Sequence, residues 1–202
     1  MGKIIKRYRF YIGIMLVIIF GAGATVISSV SAANTTISSQ ISSVISLFTT
    51  SGTVTDNITP TGSGAQTIQS DTVTVSTNDS SGYTLQLAES SATTTLTAGS
   101  DTIPASTGTQ TTPIVMAVNT WGYRVDGLGG FGAGPTTAQS SQPISGSIKF
   151  AGVPVPASPN TLADTSGVAN NAITTVWYGV AANESQATGT YTNIVTYTCT
   201  AN

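Results

Sequence analysis

The strongest constraint on this chain is a rhythm of two. Apolar and polar residues alternate in short runs, and each run stops at a cluster of Gly, Asn, Asp, Ser or Pro. Successive side chains of a strand point to opposite faces, so this period marks half-buried strands. In "TVTVST", Val73 and Val75 share a face. In "GYTLQLAES", Tyr83, Leu85 and Leu87 do, with Thr84 and Gln86 opposite. The same reading aligns Trp121, Tyr123 and Val125, then Ile148 with Phe150, then Val176, Tyr178 and Val180 with Trp177 on the other face. "PIVMAVN" (113–119) is more uniformly apolar and reads as a central strand. Between the runs stand turn signals: "NDSSG", "AGSD", "DGLGGFGAGP", "PVPASPN" and "ADTSG". No long segment combines helical spacing with caps. The pattern predicts an all-β chain, an antiparallel β-sandwich of the Ig-like or jelly-roll-like kind.

The N-terminus follows a different rule. Lys3, Lys6, Arg7 and Arg9 precede an apolar run from Phe10 to Val30, and small residues follow in "SAAN". Basic, apolar and small-residue segments in that order make a secretory signal peptide, with cleavage expected after Ala32. The rival is an uncleaved anchor helix, because the run approaches the roughly 20 apolar residues that span a bilayer. Both readings export the remainder, and a membrane enters only through this segment. The expected division is 1–32 signal or anchor, 33–50 an extended arm or first strand, and 51–202 one sandwich domain. Residues 34–50 fit a helix face through Ile37, Ile41, Val44, Ile45 and Phe48. They also fit a strand face through Ile37, Ile41, Ile45 and Leu47. Serines, threonines and β-branched residues favour the extended form. Such an arm can pair within its own domain or with a neighbouring copy.

Loss of the first 32 residues leaves two basic side chains, Arg124 and Lys149, against eight acidic ones, a net charge of about −6. No basic patch remains to collect phosphates, which argues against nucleic acid as a partner. Ser and Thr make up roughly 30% of the chain, but 40% is hydrophobic, enough to bury a core.

The inventory of reactive groups is short. The chain has no histidine, which removes the usual general base, the commonest metal ligand and every Ser-His-Asp or Cys-His arrangement. The acids are scattered and read as solvated or turn-forming residues. "DGLGGFGAG" lacks the lysine of a phosphate loop and reads as a flexible surface loop. Turn chemistry explains Asn78 and Asp79 better than a calcium site does. No catalysis, no cofactor and no metal site is expected. Trp121, Tyr123, Trp177 and Tyr178 could form a platform for stacking a glycan, or could be sandwich core. Lys149 is the one lysine after the leader. Some pilin and adhesin sandwiches join a buried lysine to an asparagine, but Lys149 is expected to point away from Ile148 and Phe150, into solvent.

The chain closes on "TYTNIVTYTCTAN", where alternation puts Tyr191, Val195, Tyr197 and Cys199 on one face. An unpaired cysteine on an apolar face behaves as a small buried hydrophobe. "GYTLQL" and "YTNIVTYTCT" resemble the WxL family of bacterial surface domains. Tyr83 and Leu85 stand where that family has Trp and Leu, and Tyr191, Val195, Thr196 and Tyr197 follow its C-terminal motif. The resemblance implies a secreted β-rich domain held non-covalently at the cell wall. The expected function is a non-catalytic, structural or adhesive role at the cell surface, with cell-wall or surface glycan as the partner. The alternatives are a pilus or surface-layer subunit that pairs with copies of itself through the arm, and a carbohydrate-binding module.

Overall fold

A computed structural model of the protein describes residues 35–202, and the expected signal or anchor helix lies outside them. Among the described residues no helix is long and apolar enough to cross a membrane. Twelve strands follow one another: β1 (Ile45–Thr49), β2 (Ala65–Thr77), β3 (Tyr83–Glu89), β4 (Leu96–Ala98), β5 (Asp101–Ile103), β6 (Ile114–Val115), β7 (Thr120–Val125), β8 (Gln139–Pro143), β9 (Lys149–Phe150), β10 (Asn160–Asp164), β11 (Ala169–Ala182) and β12 (Val195–Ala201). Every pairing between named strands is antiparallel. The described residues are all-β and sandwich-like.

The long strands β2 and β11 form the backbone of the main sheet, in one register from Val75 with Ala172 to Ala65 with Ala182, with an irregularity between Ala169 and Ala172. β7 lies on the far side of β11. The other edge of β2 is divided: β8 pairs with its first residues and β1 with its last. A second sheet has the order β10-β3-β12. One apolar core joins the two sheets, with Val73 and Val75 of β2, Tyr83, Leu85 and Leu87 of β3, and Val176, Tyr178 and Val180 of β11. The period-two faces meet here as expected. A smaller cluster of Ile68, Met116, Phe150, Trp177 and Ala181 sits on the opposite face of the main sheet, under Ile144 and Ile148.

Two expectations change. "PIVMAVN" is not a central strand. Its strand is only Ile114–Val115, paired with β9, and Met116 helps cover the outer face of the main sheet. The central place is taken because β7 already bonds Pro104, Ser106 and Ala151 along its free edge. Asn119, at φ 59°, turns the chain immediately after the run. "DGLGGFGAGP" is not a free surface loop either. Phe131 is buried and packs edge-on against Tyr123, with ring centroids 5.6 Å apart. The segment expected as an extended arm or first strand holds β1: Ile45–Thr49 is a strand, and Thr35–Val44 has no regular structure. The compact unit runs from Ser42 to Asn202 and includes β1. Its entry is tied by Asn78, whose side chain accepts from the Val44 N–H (2.7 Å) and donates to the Ser42 carbonyl (3.0 Å).

Candidate interaction surface

The interior between the sheets is not purely apolar. Continuing the inward face of β3 beyond Leu87 leads to Glu89, which is 1% exposed with both carboxylate oxygens unpartnered. Burial pushes its carboxyl up to about 7. Continuing the inward face of β2 back from Val73 leads to Asp71, also buried, which accepts hydrogen bonds from Thr50 Oγ1 and the Ser51 N–H, both 3.1 Å. Across the core, the hydroxyls of Tyr178 on β11 and Tyr197 on β12 lie 2.7 Å apart and link the two sheets. Burial raises the pKa of both phenols, and Asp71 opposes the ionisation of each. Asp56, in the segment before β2, is likewise pushed up to about 7 by burial. The reading of all the acids as solvated or turn-forming therefore fails for Asp56, Asp71 and Glu89. It holds for Asp79, whose carboxylate accepts from the Ser81 N–H at 2.8 Å in the tight turn.

The expected glycan-stacking residues are all buried. Trp121, Tyr123 and Tyr178 belong to the core between the sheets, and Trp177 to the cluster on the opposite face. A stacking platform needs exposed rings on one face, so these four form none. Their polar ends are also engaged. Trp121 Nε1 donates to the Thr94 carbonyl (2.9 Å), and the Tyr123 hydroxyl donates to Gln110 Oε1 (2.8 Å) while accepting from Asn160 Nδ2 (2.7 Å). Lys149 is exposed, as its position opposite Phe150 predicts. Its carbonyl accepts from Arg124, the buried cation that sequence reasoning missed. Arg124 pairs with Asp126 at 3.0 Å and donates to the carbonyls of Phe131 and Gly132, which pins the glycine-rich loop to β7.

The two motif stretches come together as neighbouring strands. Ala201 pairs with Tyr83, Cys199 with Leu85 and Tyr197 with Leu87. Tyr83 and Leu85 are buried, and Val195 and Tyr197 are half-buried on the same inward side. Thr196 points outward and is exposed, while Tyr191 precedes the strand and donates its hydroxyl to the Ala187 carbonyl (2.6 Å). Cys199 is half-buried rather than buried, because β12 is an edge strand. Partial burial still raises its thiol pKa.

What remains exposed is a surface with little charge. A shallow cleft of about 410 Å³ is lined by Thr94, Pro104, Ser106, Gly152, Asn160 and their neighbours, with no titratable group among them. Among the described residues no group of three or more acidic or thiol side chains could hold a metal ion. On the outer face of the main sheet, Phe48 and Ile173 both stand beside Thr74, from β1 and β11. They are 66% and 67% exposed. Thr72, Ser76, Ser46 and Thr175 surround them on that face, none of them charged. Within Thr35–Ile41, Ile37 and Ile41 are 89% and 83% exposed. No known protein family, curated protein or solved structure matches this chain.

Proposed function

We propose that this is an exported, non-catalytic protein with a structural or adhesive role at a bacterial cell surface, held there by non-covalent association with the wall or a surface glycan. The observation that carries the reading is the uncharged outer face of β1, β2 and β11, where Phe48 and Ile173 flank a threonine and are left uncovered. Exposed apolar side chains that adjoin one another on one face mark contact surfaces. The leader of residues 1–32 supports export, by cleavage or as a retained anchor. The WxL-like order of Tyr83, Leu85, Tyr191, Val195, Thr196 and Tyr197 supports wall association. Fractionation of the producing cells tests this: the chain is expected in the envelope or medium, and a cytosolic chain rejects the reading.

A second reading is a subunit that assembles with copies of itself. Its specific support is Thr35–Ile41, which has no strand partner among the described residues while exposing two isoleucines. A free segment of this kind can add as a strand to another copy. Negative-stain microscopy of protein with and without residues 33–41 separates the readings. Filaments that require the segment support assembly, and monomers in both preparations reject it.

A further inference from the structure

We propose that the polar cluster between the two sheets is a proton-gated joint, tight in acid and loosened as the medium becomes neutral. The geometry carries this. Glu89 of β3 sits in the interior with neither carboxylate oxygen partnered. Tyr178 of β11 is acted on by Tyr197 of β12, by Asp71 of β2 and by Glu89, and Tyr197 by Asp71. The Thr50 and Ser51 groups that reach Asp71 are neutral. No cation answers them among the described residues: Arg124 is committed to Asp126 and three carbonyls, and Lys149 is exposed. Ionising Glu89 therefore puts a carboxylate charge into a desolvated space with no positive partner, which is costly. The Tyr178–Tyr197 hydrogen bond is the direct link between the sheets in this region, and both carboxylates bear on Tyr178.

The direction of the effect follows from linkage. Glu89 is raised from 4.5 to about 7, and Asp56 from 3.8 to about 7. Below the unfolded values both states are protonated and stability is complete. Between those values and about 7 the folded chain keeps protons that the unfolded chain has lost, so stability falls as pH rises, and it levels off above 7. Asp79 acts with the opposite sign, but its lowered pKa places its effect below this window.

Urea unfolding of the full-length chain in mild detergent, followed by tryptophan fluorescence from pH 4 to 8.5, tests the joint. The unfolding constant is expected to rise about tenfold per pH unit for each raised carboxyl across the window, then flatten. Glu89→Gln should remove one proton's worth of that slope and Asp56→Asn another. A flat or opposite wild-type profile overturns the proposal, and so does a folded Glu89→Gln variant that keeps the full slope. If Glu89→Gln does not fold, calorimetry of the wild type in two buffers at pH 6 decides. Release of about two protons on unfolding supports the joint, and release of one or none, which Asp56 alone can supply, rejects it.

Discussion

The two halves of the β2–β11 ribbon are built from the same pair of strands and live in different surroundings. In one half, Val176–Ala182 opposite Ala65–Asp71, β11 is buried on both faces: the inter-sheet core lies on one side, and Met116 and Phe150 cover Ile68, Trp177 and Ala181 on the other, while Ser70 of β2 stays exposed. In the other half, Ala169–Thr175 opposite Thr72–Thr77, the inner face is buried and the outer face is open, with Ile173 and Phe48 exposed beside Thr74. Burial on both faces gives a near-continuous apolar run, "VWYGVAA", and burial on one face gives alternation, "TVTVST". The difference teaches where stability resides and where a partner can be met. The covered half holds the fold, and the open half is free to make contacts at little cost to it.

The sharpest way to break this contrast is to truncate equivalent apolar side chains in the two halves. Trp177→Ala removes a large buried ring and should cost about 3–5 kcal/mol in chemical denaturation. Ile173→Ala in the same strand should stay within about 0.5 kcal/mol. A comparable loss at both positions would mean that the outer face is covered along its whole length. Overfilling the covered half should also be felt. A Cβ at Gly179 would lie 2.7 Å from Phe150 Cε1 and 2.9 Å from Met116 Cε, so Gly179→Ala should cost about 1–3 kcal/mol. Next in size is Tyr178→Phe, which leaves the buried Tyr197 hydroxyl without its partner and should cost about 1 kcal/mol. The smallest expected effect is Phe48→Ser. It should leave the melting temperature nearly unchanged, because the ring is mostly in solvent.

Much of this contrast was legible in the residues, and the rest was not for specific reasons. Period two placed Val73, Val75, Tyr83, Leu85 and Leu87 inside, and it put Trp177 opposite Val176 and Tyr178. The same rule extended one step reaches Glu89 and Asp71, so the buried carboxylates carried a signal that a preference for solvated acids obscured. Arg124 was harder. Its outward direction from β7 follows from the period, but its burial depends on the glycine-rich loop seven and eight residues on folding back over it, which the alternation of a strand does not encode. Met116 and Phe150 illustrate the same limit. Short apolar runs separated by more than thirty residues meet to cover one half of a sheet, and nothing local distinguishes them from a central strand. The glycan-stacking alternative failed on the same ground, since aromatic content alone does not say which side of a strand is open.

The central claim is that the uncovered face of β1, β2 and β11 is where this protein meets its surface partner. The most direct test is retention of the Phe48→Ser, Ile173→Ser double variant on the producing cells, with its unfolding midpoint measured alongside. The account predicts an unchanged midpoint and a chain released from the envelope into the medium. A double variant that folds normally and is retained as fully as the wild type would contradict it.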